Sequence, residues 1–213
     1  MEQLFNEIRQ SFLDYEDEQL LERISSALEK GADPVEIIAL LSGALENIGE
    51  QFSKGEMFLP DMVLAGAQME ACMDVLKPAL LKSDNKIPVK SKVILGTVAG
   101  DIHDIGKNMV KMMLTVTGFE VIDLGTDVSA EKFYNAALAE KPEIVALSSC
   151  MTTTVPSMVD TIELFKSKGL TEKLKIVVGG GSMNPKVAEN FGGCIYGGHD
   201  AFEAAQVLKR IIN

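Results

Sequence analysis

The stretch VILGTVAGDIHDIGKNMV, residues 93–110, decides the fold of this 213-residue chain. It opens with a run of apolar and β-branched residues that is typical of a buried strand, and it ends with apolar residues at helical spacing. Between them lies a polar loop, residues 100–106, which holds one of the two histidines of the chain. Strand, polar loop and helix in this order predict the first βα unit of a parallel sheet.

The same alternation continues to the end of the chain and predicts an α/β domain over residues 92–213. The predicted strands cover residues 93–98, 119–124, 144–148, 176–179 and 194–196, and the predicted helices cover residues 106–117, 129–140, 155–168, 185–190 and 202–212. In the flavodoxin-like strand order 2-1-3-4-5, the loops after the first and third strands flank the point where strand order reverses, and ligands bind there. We therefore expect His103 to face the hydroxyl-rich run 148–154 across one pocket.

Residues 1–83 contain no convincing strand, and their apolar residues recur at helical spacing in four segments, which predicts a four-helix bundle. Asp33 and Pro34 form a cap and first-turn signal for the third helix, and Pro60 can open the fourth. The polar segment 84–91 contains a proline and is predicted to link the two domains. The expected inner faces are Leu4, Phe5, Ile8 and Phe12; Leu20, Leu21, Ile24, Ala27 and Leu28; Ile37, Ile38, Leu41, Leu45 and Ile48; and Met62, Met69, Met73, Leu76 and Leu80.

Composition and charge exclude several classes of protein. The chain has 31 acidic and 20 basic residues, and its net charge of -11 would repel phosphate backbones and anionic lipids, so we expect neither nucleic acid nor membrane as a partner. No run approaches the roughly 18 apolar residues of a membrane helix, and the N-terminus lacks a signal pattern, so a cytoplasmic location is expected. The three cysteines show no C-x-x-C spacing, which argues against a disulfide framework or a thiolate zinc site.

The loop around His103 has the chemistry of a ligand site. Asp101 lies two residues before the imidazole, so its carboxylate can bond one ring nitrogen and leave the other free to bind a metal. A closed zinc site needs three or four protein ligands, whereas His199 and scattered carboxylates are the only other candidates, so a metal held mainly by a macrocycle fits better. The alternative is that His103 merely caps the following helix or contacts backbone.

Two further features are ambiguous by themselves. Glycines 179–181 let a bulky ligand approach the backbone, although glycine at a strand end is also an ordinary turn device. Met57, Phe58 and Leu59 are apolar where a turn should be polar, so they either pack into the bundle core or form a lid over a ligand. No phosphate-loop motif follows the first strand, so nucleotide hydrolysis loses support.

The run Asp101-Ile102-His103-Asp104-Ile105-Gly106 resembles the D-x-H-x-x-G signature of cobalamin-binding proteins. The likeness extends over nearly the whole chain, because a serine-containing loop, the glycines and a helical bundle bearing Phe58-Leu59-Pro60 accompany that run. The chain is similar to the small corrinoid proteins of methylamine, methanol, glycine betaine and aryl methyl ether methyltransferase systems, and to the cobalamin module of methionine synthase. The resemblance implies a helical cap over a Rossmann-like cobalamin-binding domain.

By this resemblance, His103 would be the lower axial ligand of cobalt, replacing the cofactor's own dimethylbenzimidazole in the base-off, His-on mode. Asp101 and Thr154 would form a proton relay to it, with Thr154 leading to solvent. The segment 84–89 would be the hinge for uncapping. The other cofactor-binding residues implied are Asp104, Gly106, Ser148, Thr152, Gly179 and Gly180 in the α/β domain, and Phe52, Leu59 and Met62 as the cap.

Three positions depart from the family pattern. Cys150 stands where leucine is usual, Gly181 stands where alanine is common, and His199 lies near the nucleotide slot without a family role. None of the three removes an implied ligand. His199 is also a second candidate for the cobalt ligand, but it lacks the flanking aspartate arrangement.

The resemblance implies a non-catalytic corrinoid carrier. A substrate-specific methyltransferase would load methyl onto cobalt(I), a second methyltransferase would pass it to tetrahydrofolate or a thiol, and a reductive activase would restore oxidised cobalt. A cobalamin-dependent sensor is an alternative, although such sensors usually carry a tryptophan in the cap, and this chain has no tryptophan. A second alternative is a phosphotransfer protein that binds magnesium through Asp101 and Asp104.

Overall fold

A computed structural model describes residues 1–82 and 91–212 of the chain. The chain divides into two compact units, Met1–Pro88 and Val89–Asn213. The predicted linker and hinge, apart from Ser91, lie outside the described residues, so their limits and role stay predictions. Within the described part of the chain, no helix is both long and apolar enough to cross a membrane.

The first unit consists of the four predicted helices. They are α1 (Glu2–Leu13), α2 (Asp17–Glu29), α3 (Pro34–Ser53) and α4 (Leu59–Lys82). The Asp33 side chain accepts a hydrogen bond from the Val35 N–H at 2.9 Å, and Pro34 occupies the first turn of α3, as the cap signal predicts. Fully buried apolar side chains from α1, α2 and α3 form the core, and they include Ile8, Phe12, Leu20, Ile24, Ile37, Leu41, Leu45 and Ile48. Of the predicted inner faces of α1 and α2, the residues Leu4, Phe5, Leu21 and Leu28 are only half-buried, because they lie at the edges of these faces.

The inner face of α4 differs from the prediction. Met62, Met69 and Leu76 are buried as expected, but Met73 and Leu80 are only half-buried. Ala65 and Cys72 complete the buried stripe, at alternating spacings of three and four residues. The prediction followed the large side chains and missed the small ones, which lie on the same face of the helix.

The second unit is a five-stranded parallel sheet with strand order β2-β1-β3-β4-β5, which confirms the predicted flavodoxin-like order. The strands are β1 (Lys92–Thr97), β2 (Glu120–Asp123), β3 (Ile144–Ser148), β4 (Lys175–Gly179) and β5 (Ile195–Tyr196). The helices are α5 (Ile105–Val116), α6 (Ala130–Glu140), α7 (Val155–Ser167), α8 (Pro185–Glu189) and α9 (Ala201–Ile212). Strand β1 ends one residue earlier than predicted, because Val98 forms only an isolated bridge to Val128.

The sheet register brings the ends of the central strands to one edge. Thr97 of β1 pairs with Ser148 of β3, and Ser148 pairs with Gly179 of β4. Helix α5 packs beside α9, and α6 packs beside α7, as expected of a doubly wound sheet. The loops that follow β1, β3 and β4 therefore meet at the carboxyl edge of the sheet.

Candidate functional site

The loop after β1 holds the His103 imidazole through a buried carboxylate. Asp101 is 0% exposed, and its Oδ1 lies 2.8 Å from His103 Nδ1 and accepts the His103 backbone N–H at 3.0 Å. Among the residues that the structure describes, none forms a hydrogen bond with Nε2. The residue that precedes α5 is Asp104, so the His103 ring does not serve as the helix cap. One ring nitrogen is thus fixed and the other is available to a ligand.

The second oxygen of Asp101 connects this loop to the loop after β3. It accepts the Cys150 backbone N–H at 2.7 Å and the Thr154 hydroxyl at 3.0 Å. Burial acts to raise the pKa of Asp101, but the hydrogen bonds from the backbone of His103 and Cys150, from the His103 ring and from Thr154 outweigh it and hold that pKa well below its usual range. Asp101 is therefore a carboxylate at neutral pH and can act only as an acceptor.

The hydroxyl chain continues beyond Thr154, but not directly to solvent. Thr154 is only 5% exposed, and its Oγ1 lies 2.9 Å from Ser149 Oγ. Ser182, which follows β4 and is half-buried, donates to the Ser149 carbonyl at 2.8 Å and lies 3.1 Å from its hydroxyl. The expected exit at Thr154 is therefore corrected. The network runs from His103 through Asp101, Thr154 and Ser149 to Ser182.

Two side chains that the sequence analysis did not single out hold the loop after β1. Thr97 is fully buried and donates its hydroxyl to the His103 carbonyl at 3.0 Å. Asp127, in the loop after β2, accepts the Gly100 N–H at 2.7 Å and donates its own N–H to the Asp101 carbonyl at 3.0 Å. It does so with φ of +52°, a conformation that Asp tolerates better than most residues. Polar residues at a strand end are the signal that could have identified them.

A cavity of about 410 Å³ opens beside His103 between the sheet and the helices α5 and α9. Of the predicted site residues, those that line it are His103, Gly106, Ser148, Gly179 and Gly180, together with Cys150, Gly181 and His199. Its apolar lining includes Leu95, Val110, Ala146, Val177 and Leu208. Asp104 and Thr152 are exposed and do not line it. The structure therefore gathers part of the predicted set around one space.

The glycines of the cavity wall leave room for a bulky ligand. A Cβ added to Gly106 or Gly179 would have no atom within 4 Å, so any side chain there would project into open space. Gly180 is different, because its φ is +105° and a Cβ would lie 2.3 Å from the Ser149 carbonyl oxygen. Of these glycines, two keep space open and one permits close packing of the loops after β3 and β4.

Two of the three apolar residues at the turn into α4, Phe58 and Leu59, are exposed, and Met57 is half-buried. Phe58 is 70% exposed and Leu59 is 44% exposed, and Val63 and Leu64 in the first turns of α4 are also more than half exposed. Of the other predicted cap residues, Phe52 is half-buried and Met62 is fully buried. We call Phe58, Leu59, Val63 and Leu64 the apolar patch of the helical unit. Its exposure favours the lid over the core interpretation of this turn.

Comparisons with known proteins agree with this geometry. A family model described as B12 binding domain matches residues 91–206, and a second model with the same description matches residues 4–77. The chain is 37% identical to Trimethylamine corrinoid protein 2 of Methanosarcina acetivorans, and the alignment covers 99% of this chain and 97% of the relative.

Two solved structures resemble the fold. A cobalamin-binding protein from Desulfitobacterium hafniense DCB-2 matches with a TM-score of 0.78 and 33% identity over 97% of both chains. A chain of the methanol:cobalamin methyltransferase complex from Methanosarcina barkeri matches with a TM-score of 0.84 and 28% identity, covering 99% of this chain and 80% of that one. The likeness thus includes both the helical and the α/β parts of the chain.

Proposed function

Because the chain belongs to the family of corrinoid proteins with B12-binding domains, we propose that it binds a corrinoid in the base-off, His-on mode and carries a methyl group between two methyltransferases. One observation supports this most strongly. His103 has its Nδ1 held by a buried carboxylate and its Nε2 without a hydrogen-bond partner among the described residues, beside a cavity whose glycines leave open space.

The residues present fit a corrinoid better than a metal ion bound by protein alone. Among the described residues, no group of three or more His, Cys, Asp or Glu side chains is arranged to hold a metal ion. When bound, a corrinoid would supply a cobalt that already has its equatorial nitrogens and that accepts and releases methyl groups. One imidazole from the protein would then suffice to complete the site, and His103 would provide it.

In this proposal each residue of the network has a defined task. Asp101 keeps the proton of the neutral imidazole on Nδ1, so that Nε2 presents its lone pair. In the proposed relay, the Asp101 carboxylate would stabilise positive charge on this ring through its hydrogen bond with Nδ1. Thr154, whose hydroxyl donates to Asp101, would adjust the basicity of that carboxylate and serve with it as the proton relay.

The remaining predicted residues take part as follows. Gly106, Ser148, Gly179 and Gly180 would surround the displaced nucleotide tail in the cavity. Leu59, as part of the apolar patch, would shield the upper face of the corrinoid from water. The other predicted contacts, Phe52, Met62, Asp104 and Thr152, have less support. Met62 is buried, and neither Asp104 nor Thr152 lines the cavity.

The proposed partners follow from the relatives. A similar chain belongs to a methanol:cobalamin methyltransferase complex, and another relative is named a trimethylamine corrinoid protein. We therefore propose a substrate-specific methyltransferase of the methylamine or methanol type as the donor enzyme. A second methyltransferase acting on tetrahydrofolate or a thiol, a reductive activase and a cytoplasmic location complete the proposal.

The magnesium alternative has less support. Both oxygens of Asp101 accept hydrogen bonds from backbone N–H groups and from side chains, and the carboxylate is fully buried. Asp104 Oδ2 accepts a hydrogen bond from Asn108. A magnesium site needs carboxylate oxygens that face an open, hydrated space, which Asp101 does not offer.

Reconstitution tests the proposal directly. Apoprotein mixed with hydroxocobalamin and passed over a desalting column is expected to retain a chromophore in equimolar amount, and a colourless product would overturn the proposal. The His-on mode is tested by electron paramagnetic resonance of the cobalt(II) form. Labelling the protein with ¹⁵N is expected to change the axial nitrogen splitting from a triplet to a doublet.

Variants of the two histidines make the spectroscopic test specific. His103→Ala is expected to abolish the protein-derived splitting, whereas His199→Ala is expected to keep it. Loss of that splitting only in His199→Ala would contradict the assignment of His103 as the ligand. Enzymatic transfer of ¹³C-methyl through the loaded protein, with a methylamine or methanol methyltransferase as donor, separates a carrier from a sensor.

A further inference from the structure

The edge of the cavity opposite His103 contains a buried acceptor that the network above does not use. Asp200, at the start of α9, lines the cavity, and its side chain is only 7% exposed. Its Oδ1 accepts the Glu203 N–H at 2.8 Å and so caps the helix. Its Oδ2 is buried, and within residues 1–82 and 91–212 it has no hydrogen-bond partner. A buried carboxylate oxygen without a donor is rare in native proteins and calls for a partner from outside the chain.

The neighbouring imidazole of His199 does not satisfy this oxygen. His199 Nε2 lies 3.1 Å from Asp200 Oδ2 without hydrogen-bond geometry, and the His199 side chain is 64% exposed. The other ring nitrogen, Nδ1, is paired with Glu203, whose carboxylate also accepts the His199 backbone N–H at 2.8 Å. Burial, together with the charges of Glu203 and Asp200, raises the pKa of the nearby Tyr196 hydroxyl, which indicates a negative field in this part of the cavity. A ligand group that meets Asp200 must therefore be a hydrogen-bond donor, because an anionic group would be repelled.

The position of Asp200 indicates which part of a ligand it meets. His103 follows β1 and Asp200 follows β5, and two strands, β3 and β4, separate them in the sheet. At the usual spacing of neighbouring strands, the two loops are roughly 14 Å apart along the sheet edge. The inference rests on the proposed function: when His103 replaces the ligand's own axial base, that base and its ribose must lie elsewhere. The cavity next to His103, which reaches as far as Asp200, offers that space.

We infer that Asp200 Oδ2 accepts a hydrogen bond from a hydroxyl or N–H group of the corrinoid's nucleotide tail, and that this residue contributes to selecting tail-bearing corrinoids. Two parts of the tail offer such a donor. Ribose carries hydroxyl groups in every complete corrinoid, whereas only some lower bases carry an N–H: an adenine base has an amino group, and dimethylbenzimidazole has no free N–H once it is joined to ribose. Both sources share one chemistry, a neutral donor facing a buried carboxylate.

The test measures the affinity of the full-length apoprotein for three corrinoids by absorbance titration. These are cobinamide, which lacks the tail, cobalamin, and a cobamide with an adenine base. Asp200→Asn keeps an oxygen for the helix cap but presents a donor in place of the free acceptor. Asp200→Ser keeps a capping hydroxyl and removes the second oxygen. Both variants are expected to bind tail-bearing corrinoids about 10-fold to 100-fold more weakly, as for the loss of a hydrogen bond to a charged group, and to bind cobinamide within about 2-fold of wild type.

The results distinguish a ribose donor from a base donor, and they distinguish failure of this inference from failure of the proposed function. An equal loss for cobalamin and the adenine cobamide assigns the donor to ribose, and a larger loss for the adenine cobamide assigns it to the base. Wild-type affinity of both variants for the tail-bearing corrinoids, or an equal loss for cobinamide, would overturn the inference. Failure of the wild-type protein to bind any of the three corrinoids would instead overturn the proposed function.

Glu203→Gln is the matched control. It removes a neighbouring negative charge from the same helix turn and leaves Asp200 Oδ2 in place, so it is expected to change the affinity for tail-bearing corrinoids less than 3-fold, about 0.6 kcal/mol. A loss as large as that of Asp200→Ser would show that general charge, and not the hydrogen bond, is responsible, and would overturn the inference. Thermal unfolding monitored by circular dichroism checks that every variant is folded.

Discussion

Two neighbouring glycines at the end of β4, Gly179 and Gly180, differ in the space available for a side chain. Gly180→Ala places a Cβ 2.3 Å from the Ser149 carbonyl at a φ of +105°, so we expect the free energy of unfolding to fall by about 3 kcal/mol. Gly179→Ala meets no atom within 4 Å and should fold normally, but its methyl group enters the cavity. We expect Gly179→Ala to weaken corrinoid binding about 10-fold or more.

Urea unfolding and absorbance titration check this pair. Gly43→Ala is the control, since Gly43 lies exposed within α3 and an added Cβ would have no atom within 4 Å. This substitution should stabilise the helix by up to about 1 kcal/mol without changing corrinoid affinity. Corrinoid binding of Gly179→Ala at wild-type affinity would show that the ligand does not use the space beside this glycine.

The three cysteines differ in accessibility, and this predicts their reactivity. Burial, together with the charge of Asp17, raises the pKa of the Cys72 thiol to about 12, so this thiol stays protonated and enclosed in the native protein. Cys150 is exposed and lines the cavity. We expect iodoacetamide to modify Cys150 first and Cys72 only after unfolding, as measured by peptide mass spectrometry.

Corrinoid loading supplies the second half of this test. Because Cys150 lies in the cavity wall, a bound corrinoid should slow its modification at least about 10-fold. Cys194, which is half-buried and lines a separate cavity, is the internal reference and should react at the same rate with and without corrinoid. Equal rates at Cys150 in both states would contradict the proposed location of the ligand.

At the residue scale, a contact between two site residues could be predicted only when the two residues are close in the sequence. Asp101 and His103 are two residues apart, so their contact followed from the loop itself. Ser149 and Ser182 come from loops 33 residues apart, and no local pattern indicates that their hydroxyl groups meet. The hydrogen bond that Asp127 accepts from Gly100 likewise spans 27 residues. Such contacts are determined by strand register, which becomes visible only in three dimensions.

At the element scale, a buried ion pair fixes α5 to β2. Lys107, in the first turn of α5, is 4% exposed, and its ammonium lies 2.8 Å from both oxygens of Asp123. Burial acts to raise the pKa of Asp123, but the hydrogen bond from Lys107, the Gly125 N–H and the charges of Lys107 and Lys111 hold it below its usual value. The pair orients the first turn of α5, which begins two residues after His103.

The pH dependence of this pair has a definite sign. Because the native pKa of Asp123 lies below its unfolded value of about 3.9, the stabilisation is complete above pH 4 and is lost as pH falls through the native pKa. Asp123→Asn leaves Lys107 buried without its counter-ion and should lower the free energy of unfolding by about 3 kcal/mol at pH 7. The difference in the free energy of unfolding between wild type and Asp123→Asn should shrink below pH 4.

Urea unfolding at pH 7 and pH 3 measures both effects. Asp74→Asn is the control, because Asp74 and Lys77 form an exposed ion pair on α4 for which we expect a change below about 1 kcal/mol. A stability difference between wild type and Asp123→Asn that stays constant down to pH 3 would contradict the role of the ionised carboxylate.

Element positions were more predictable than element faces. The strands and helices of the α/β unit lie within a few residues of the predicted ranges, since their alternation depends on short-range periodicity. The face of α4 was partly wrong, because Ala65 and Cys72 carry little hydrophobic signal although both are fully buried. Small residues allow close helix packing, and their burial depends on which neighbour approaches, which periodicity alone does not show.

At the scale of the whole molecule, the strongly acidic composition and the two-unit organisation have separate consequences. The net charge of -11 is a property of the entire chain and bears on which partners approach it. The two family models described as B12 binding domain match both units: residues 4–77 lie in the helical unit, and residues 91–206 lie in the α/β unit. The proposed function assigns the apolar patch of the helical unit to shielding the corrinoid, and that assignment can be tested.

The double substitution Phe58→Ser and Leu59→Ser tests the patch. Both side chains are exposed, and the hydrogen bond from the Phe58 N–H to Asp61 involves only the backbone of Phe58, so the fold should be retained. We expect corrinoid affinity to stay within about 2-fold of wild type. If the patch shields the cobalt as proposed, the reduced, loaded double variant should nevertheless oxidise in air-equilibrated buffer about 5-fold to 10-fold faster than wild type, because water and oxygen would reach the metal more easily. Stopped-flow absorbance of the cobalt(I) form gives the rate. Leu138→Ser, which removes a similarly exposed leucine from α6, should oxidise at the wild-type rate. An unchanged rate in the double variant would contradict the shielding role of the patch.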